Sequence, residues 1–196
     1  GEPVHEHLVT IRTVALDAAV VIKRLQALKR GTKLAPDRSP VDLAAVATTM
    51  REISRPRWER SADHPGPAMT VNVRALDVPT VLVIPAEVRE LLLNLIFNAI
   101  DAMPSGGTIT ITTKTGQDGW AEVLVEDTGI GMSAEVLGRI FEPFFSTKGA
   151  KGSGLGLSVS RTIAQRYGGT LTATSMVGVG TTFTLRLPPA PASSGV

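Results

Sequence analysis

The sequence contains no cysteine, has three histidines and carries little net charge. Without cysteine, disulfides, thiol catalysis and cysteine-based zinc sites are excluded, and the absence is consistent with a reducing compartment. The histidines, His5, His7 and His64, are too scattered along the chain to suggest a metal site. A formal net charge of +2 does not imply a nucleic-acid or membrane partner.

Long apolar segments are also missing. Runs such as Ala18 to Ile22 are far shorter than the roughly 20 residues that a membrane-spanning helix needs, and no signal peptide is visible. The 196 residues suffice for one large or two small domains. Because the first residue is Gly rather than Met, we expect a processed or excised piece of a longer protein.

The N-terminal region has the apolar period of a coiled-coil seam. Residues 4–30 read as one long helix whose apolar positions step by four and three: Val4, Leu8, Ile11, Ala15, Ala18, Ile22 and Leu25. One isolated helix cannot bury so wide a face. We therefore predict a dimerisation helix over 1–31, the second half of a helical hairpin, followed by a linker over 32–38.

The rest of the chain alternates between helical and strand patterns. Ser39 and Pro40 resemble an N-cap and first helical residue, which predicts a helix to about Ser61. Further helices are expected over Glu90–Met103, from Ser133, and over Leu155–Tyr167. Strands are expected at Met69–Leu76, Val81–Ile84, Thr108–Thr115, Ala121–Glu126, Thr170–Ser175 and Thr181–Leu187. This order favours a mixed α/β sandwich over a regular βαβ series.

A stripe of oxygen-bearing side chains runs along the predicted helix Glu90–Met103. Glu90, Asn94, Asn98 and Asp101 recur at helical spacing among Leu, Ile and Phe. A buried amide without partners costs about 1–3 kcal/mol, so a partner is expected. A hydrated Mg²⁺ with phosphates is one candidate; the alternative is that the two asparagines cap a neighbouring loop.

Asp127-Thr128-Gly129-Ile130-Gly131 follows a predicted strand directly. The glycines allow the backbone to approach a ligand closely. A carboxylate in a pocket can accept the exocyclic amino hydrogens of adenine and would reject guanine. The alternative is a tight turn in which the aspartate makes a local hydrogen bond.

The segment from Gly152 to Leu157 (GSGLGL) opens a predicted helix, where free backbone N–H groups can bind phosphate oxygens. Lys148 and Lys151 precede it and supply positive charge. The segment fits neither a Rossmann fingerprint, which would have Gly at position 157, nor a P-loop, which needs Lys followed by Ser or Thr. A plain flexible loop is the alternative.

Taken together and in order, these segments resemble the catalytic ATP-binding domain of sensor histidine kinases, in the GHKL superfamily. The matching motifs are the N box, the G1 box, the F box and the G2 box: Asn94 and Asn98; Asp127, Gly129 and Gly131; Phe141, Phe144 and Phe145; Gly152, Gly154 and Gly156. A GxGTTF segment at 178–183 follows. The resemblance covers roughly Ser39 to Pro188.

The resemblance implies an α+β, two-layer α/β sandwich of a mixed sheet with about three helices, of the Bergerat type. It implies an ATP-binding catalytic domain over 39–188 and a mobile lid over 142–153. The residues that follow have nothing to bury, so we expect a disordered tail over 189–196. ATP and Mg²⁺ are the implied cofactors. The implied nucleotide-binding residues are Asn94, Asn98, Asp101, Asp127, Gly129, Gly131, Lys148, Gly152, Ser153, Gly154, Leu155, Gly156, Leu157 and Thr182.

Within that set the resemblance implies particular roles. Asn98 would bind Mg²⁺ and Asp127 would recognise adenine, with Thr182 supporting the adenine from the last strand pair. Lys148 is the candidate lid residue that reaches the phosphates. We expect Phe144 and Phe145 to pack the lid hinge rather than to contact ATP.

One position separates branches of the superfamily. The gyrase, MutL, Hsp90 and anti-sigma-kinase branches carry a glutamate base four residues before the metal-binding asparagine, where this chain has Asn94. An amide cannot accept a proton at neutral pH, whereas a neutral imidazole already has a nucleophilic lone pair. Asn94 therefore favours phosphoryl transfer to histidine, although Glu90 could substitute as a base. The alternatives are an ATPase that couples hydrolysis to conformational change, and a nucleotide-binding module without turnover.

The acceptor histidine is expected upstream of Gly1. His5-Glu6 faintly resembles the acceptor motif, but only one helix fits between His5 and Gly31, and a hairpin needs two. The resemblance implies a response-regulator receiver domain as partner and a homodimer through the N-terminal helix, with no nucleic acid. It also implies a cytoplasmic location for this portion, with any membrane attachment through missing upstream segments.

Overall fold

Five strands form a mixed sheet in the computed structural model, which describes residues 38–59, 68–148 and 153–191. The chain contributes seven strands in all within those residues: β1 Ser39–Val41, β2 Met69–Ala75, β3 Val81–Val83, β4 Gly107–Thr115, β5 Ala121–Asp127, β6 Thr170–Met176 and β7 Gly180–Leu187. The five-stranded sheet has the order β2-β4-β5-β7-β6, while β1 and β3 pair separately. Only the β2–β4 pair is parallel.

Alternation along the strands gives the sheet one buried and one open face. In β5 the odd-numbered residues from Ala121 to Asp127 are buried, and in β7 Thr181, Phe183, Leu185 and Leu187 are. Apart from the buried Gly180, the even-numbered residues of the same strands are half-buried. The helices therefore cover only one face, which leaves a two-layer arrangement.

Four helices lie in the described part of the chain: α1 Leu43–Trp58, α2 Pro85–Asp101, α3 Ala134–Arg139 and α4 Gly156–Arg166. Helix α2 packs against α1 and α4, and its apolar face is fully buried at Leu91, Leu95 and Ala99. The predicted α+β sandwich of a mixed sheet with about three helices is confirmed, with α3 as an additional short helix.

The prediction for Ser39 and Pro40 is wrong. Residues 39–41 form the strand β1, antiparallel to β3, and Pro40 lies opposite Leu82. A proline is tolerated there because the two-stranded sheet leaves its nitrogen on an edge. Helix α1 instead begins after Asp42, whose carboxylate accepts from the N–H of Ala44 (2.8 Å), as N-cap aspartates do.

Several predictions concern residues at the two ends of the chain. The dimerisation helix over 1–31, His5 and all but Arg38 of the linker lie outside the described residues. At the other end, the N–H of Ala190 donates to the carbonyl of Thr80 (2.7 Å), so the chain contacts the domain just past the predicted boundary at 188. The described helices include none with the length and apolar character needed to cross a bilayer.

Candidate nucleotide-binding site

Helix α2 presents its two asparagines to different partners. Asn94 is half-buried, and its Nδ2 donates to the carbonyl of Gly156 (3.4 Å) and to Ser160 Oγ (3.3 Å). Asn94 thus connects α2 to the first turn of α4. A Cβ added at Gly156 would lie 3.7 Å from the Asn94 side chain, an ordinary contact distance, so the two helices meet closely but without strain.

One helical turn further along α2, Asn98 and Asp101 converge on a single cation. Lys148 Nζ donates to Asn98 Oδ1 (3.1 Å) and to Asp101 Oδ2 (2.8 Å). The Lys148 and Asp101 side chains are 39% and 35% exposed, so the pair lies at the surface of the helix layer. Lys148, which is distant in sequence, is therefore brought to two predicted site residues that are three positions apart on α2.

Arg57 of α1 supports the same aspartate from the other side. Its Nη2 lies 3.3 Å from Asp101 Oδ1, and its guanidinium stacks over the ring of Phe97 at 4.3 Å from the centroid. Each oxygen of the Asp101 carboxylate thus faces a different cation. The sequence pattern of α1 gives no indication of this contact.

The loop after β5 is built around Asp127, which is 7% exposed. Its Oδ1 accepts from the N–H of Gly129 (2.9 Å), the local bond of an Asx turn. Burial raises the pKa of Asp127, although hydrogen bonds from the backbone of Gly129 and Thr181 partly oppose that rise. The carboxylate can accept further hydrogen bonds, as the amino group of adenine would require.

Glycine is required twice in this loop because other chain segments pass very close. A Cβ at Gly129 would lie 2.5 Å from the carbonyl oxygen of Ala102, at the end of α2. A Cβ at Gly131, where φ is +64°, would lie 2.0 Å from the carbonyl oxygen of Met176. The loop therefore fits tightly between α2 and β6.

The structure places Thr181, rather than the predicted Thr182, beside Asp127. Thr182 pairs with Glu126, and both belong to the open face of the sheet. Thr181 pairs with Asp127 on the helix-covered face, because successive strand residues alternate between faces. Its Oγ1 lies 2.9 Å from Ser175 Oγ, which also accepts from the N–H of Met132 (2.8 Å).

The G2 segment begins helix α4 as expected, with Leu155 as its N-cap residue. The first N–H groups of a helix have no partner within the helix, and here they are those of Gly156, Leu157 and Ser158. Ser153 Oγ accepts from the N–H of Leu155 (3.4 Å). Gly152 lies outside the described residues.

Gly154 and Phe144 form the contact between the G2 segment and the lid. The N–H of Phe144 donates to the carbonyl of Gly154 (3.0 Å), and both residues have positive φ, +66° and +64° respectively. Phe145 is half-buried with Arg139 stacked on its ring at 4.3 Å. Phe144, in contrast, is 76% exposed, so the expectation that it packs the hinge is wrong.

A concavity of about 600 Å³ lies elsewhere, mainly on the open face of the sheet. It touches Asp127 and Thr181 but includes no residue of α2 or α4; its lining also includes Arg74, Thr108, Thr110, Glu126, Thr174 and Thr182. The groups suited to phosphate are on α2, α4 and the lid. The concavity is therefore separate from the predicted phosphate-binding residues of α2 and α4.

The predicted site residues, from Asn94 to Thr182, lie within a stretch of sequence that matches a known family model. Residues 84–191 match the family described as "Histidine kinase-, DNA gyrase B-, and HSP90-like ATPase", which is more than half of the chain. The chain therefore belongs to this family of ATP-binding domains.

Similar curated proteins include several kinases. A sensor histidine kinase ZraS of Klebsiella oxytoca is 46% identical over 53% of this chain and 22% of its own length. The histidine protein kinase DivJ of Caulobacter vibrioides is 43% identical over 51% of this chain and 17% of its own. The sensor kinase CckA of Brucella abortus is 34% identical over 96% of this chain. This chain spans about a fifth of these relatives.

Solved structures agree on the fold. Full-length ShkA in complex with AMPPNP has a TM-score of 0.66 and 29% identity, covering 83% of this chain and 33% of that one. The mycobacterial sensor histidine kinase MprB has a TM-score of 0.64 and 26% identity, covering 79% of this chain and 99% of that one. The fold is thus that of histidine kinase catalytic domains.

Proposed function

We propose that residues 39–188 form the catalytic domain of a sensor histidine kinase, which transfers the γ-phosphoryl group of ATP to a histidine outside the described residues. The family supports ATP binding, and the similar proteins are named as sensor kinases or histidine protein kinases. One observation favours the transfer to histidine over hydrolysis, and it concerns Asn94.

Asn94 supplies an amide where hydrolysing relatives would need a base. Its Nδ2 already donates to the Gly156 carbonyl and to Ser160 Oγ, so the side chain connects two helices. An amide cannot accept a proton from water at neutral pH. A neutral imidazole needs no such base, because its lone pair is available. An amide at position 94 is therefore compatible with phosphoryl transfer to histidine and unfavourable for hydrolysis.

The residues fit a divalent metal next to the phosphates. Mg²⁺ prefers oxygen ligands and is commonly held by one or two protein oxygens together with substrate phosphates. Asn98 Oδ1 is such an oxygen, and its position beside Lys148 Nζ shows that it already faces a cation. We propose Asn98 as the metal ligand. When bound, the metal would neutralise negative charge that develops on the transferring phosphoryl group.

The remaining residues position the nucleotide. Asp127 would accept the amino hydrogens of adenine, and Thr181 lies beside it on the same face. The first N–H groups of α4 would receive phosphate oxygens, as helix N-termini do. Catalysis of phosphoryl transfer is mostly positioning and electrostatic stabilisation, so no group of this chain needs to form a covalent bond.

The partners and location follow from the same proposal. A response-regulator receiver domain would accept the phosphoryl group from the histidine. Dimerisation would use the predicted N-terminal helix, and the need for ATP supports a cytoplasmic location. Each of these remains a prediction.

Incubating the purified chain with γ-labelled ATP and Mg²⁺ tests the proposal. We expect nucleotide binding with little free phosphate, and acid-labile, alkali-stable label on an added helical segment that carries the acceptor histidine of a sensor kinase. Asn98→Ala should abolish transfer. The Thr162→Ala variant, changed at an exposed position of α4, is the matched control.

Other outcomes select the alternatives. Sustained phosphate release without labelled protein would replace the kinase proposal with the ATPase. Binding without release or transfer, even with the histidine segment present, would favour a nucleotide-binding module. Acid-labile label on the chain itself would place the acceptor in this chain and make His5 the residue to examine.

A further inference from the structure

The ammonium of Lys148 occupies a position that also suits a divalent metal. Its Nζ lies 3.1 Å from Asn98 Oδ1 and 2.8 Å from Asp101 Oδ2. Asn98 and Asp101 are three residues apart on α2, so their side chains lie on the same helix surface. Two oxygens of the kind that Mg²⁺ takes therefore converge on one cation, and that cation belongs to the protein.

We propose that Lys148 is an exchangeable internal cation, which holds the metal position in the nucleotide-free protein and leaves it when a metal–nucleotide complex binds. The inference rests on the proposed function. It makes Lys148 a positioning residue whose contribution depends on whether a divalent metal is present.

The charges around Asp101 explain why a cation is needed at this point. Its carboxylate would repel the phosphates of a nucleotide bound beside Asn98. Arg57 lies 3.3 Å from Oδ1, and Lys148 neutralises Oδ2. If Lys148 were removed without a metal to replace it, one side of the carboxylate would face the phosphates uncompensated.

The surroundings of Lys148 allow the exchange. Its side chain is 39% exposed, and the residue belongs to neither a helix nor a strand. Ion pairs exposed to this degree are weak because water screens them. A divalent ion carried by phosphates brings twice the charge and can therefore displace the ammonium.

The exchange predicts that Mg²⁺ changes nucleotide affinity less in the wild type than in a Lys148→Gln variant. In the wild type, the ammonium substitutes for the metal, so nucleotide affinity should fall only modestly when Mg²⁺ is removed. In a Lys148→Gln variant nothing substitutes, so affinity should depend steeply on Mg²⁺. A lysine that only contacts phosphate would contribute in both conditions.

Calorimetric titration with AMPPNP, in Mg²⁺ and in EDTA, measures this difference. For Lys148→Gln we expect about a tenfold or larger loss of affinity in EDTA, as expected for one charge-assisted hydrogen bond. In Mg²⁺ the loss should stay within about threefold. Lys114→Gln is the control, since Lys114 lies on β4 and pairs with Glu122 at 3.6 Å; it should change neither affinity.

A double variant tests the role of Asp101. Adding Asp101→Asn to Lys148→Gln removes the uncompensated charge, so it should restore most of the affinity lost in EDTA. Failure of that rescue would overturn the proposal, as would an equal loss in Mg²⁺ and EDTA, or no loss in either. Thermal melting of each variant checks folding. A wild-type chain that binds no AMPPNP in either condition would instead overturn the proposed function itself.

Discussion

The proposed adenine end and the proposed phosphate end of the site are built differently. At the adenine end, Asp127 is buried between strands, and its loop is fixed by hydrogen bonds to Gly129 and to the end of α2. At the proposed phosphate end, the contacts come from partly exposed side chains such as Lys148, which belongs to neither a helix nor a strand. We therefore expect the first end to be more rigid than the second.

Two glycines with the same backbone angle allow the comparison to be tested. Gly131 at the adenine end and Gly154 at the phosphate end both have φ of +64°. A Cβ at Gly131 would meet the carbonyl oxygen of Met176, within β6, at 2.0 Å. A Cβ at Gly154 would meet the carbonyl carbon of Phe144, within the lid, at 2.4 Å.

The largest expected effect is that of Gly131→Ala on stability. Left-handed backbone costs about 1–2 kcal/mol for a residue with a Cβ, and overpacking against a strand adds about 1–3 kcal/mol. Gly154→Ala should cost less, because Phe144 lies outside any helix or strand and can shift more easily than β6. Urea denaturation of both variants measures the two free energies of unfolding.

Gly119→Ala provides the matched control for that pair. Gly119 has φ of +79°, and a Cβ there would have no neighbour within 4 Å. Gly119→Ala should therefore lower the free energy of unfolding only by the cost of placing a residue with a Cβ in left-handed backbone. Equal losses for Gly131→Ala and Gly154→Ala would contradict the idea that the adenine end is the more rigid one.

The next largest expected effect is that of Asp127→Asn, which should lower nucleotide affinity without lowering stability. Replacing a charged acceptor by an amide in Asp127→Asn should weaken nucleotide binding about 10- to 100-fold, since hydrogen bonds to charged groups contribute about 1.5–3 kcal/mol. The melting temperature should not fall, because the variant no longer buries a carboxylate. Titration with AMPPNP and thermal melting measure the two quantities.

The pH dependence of the wild type has a definite sign at this residue. Burial raises the pKa of Asp127 above its ordinary value. The native state therefore holds this proton more tightly than the unfolded state, and the cost of burying the carboxylate is relieved as pH falls through the raised pKa. Nucleotide affinity should decrease over the same range. An Asp127→Asn variant that kept this pH dependence would refute the assignment.

The sequence predicted the components of the site better than their mutual contacts. The period of α2 and the alternation of the strands follow directly from apolar spacing, which is why the sandwich could be inferred. Asp127 and the glycines were recognisable because a strand, a carboxylate and flexible backbone occurred in immediate succession. Such local patterns depend on neighbouring residues alone.

Contacts between distant residues could not be predicted in this way. Ser160 could have been suspected as a partner of Asn94, because it follows Gly156 by one helical turn. Counting alternate residues back from Phe183 would have placed Thr181, rather than Thr182, on the same face as Asp127. Nothing in the sequence indicated that Arg57 would reach Asp101, because that contact depends on how α1 packs against α2.

The smallest expected effect concerns the end of α4 farthest from the phosphates. Tyr167 follows the helix, is buried, and donates to Glu87 Oε2 (2.5 Å) while accepting from the N–H of Ile84 (3.1 Å). Arg166 also pairs with Glu87. These contacts fix the distal end of α4 to the beginning of α2, so any adjustment to nucleotide should be confined to the opposite end.

Burial and the hydrogen bond to Glu87 raise the pKa of Tyr167 to about 12. The ordinary value is about 10, so the unfolded chain loses the phenolic proton first, and the free energy of unfolding should fall as pH rises from about 10 to about 12. Tyr167 is the only tyrosine of the chain, so ultraviolet absorbance after a rapid pH jump reports its ionisation directly. Glu87→Gln should move the midpoint down towards the ordinary value, while Glu135→Gln, at an exposed position of α3, should not. A native midpoint near 10 would mean that the distal end of α4 is no more firmly held than its phosphate-facing end.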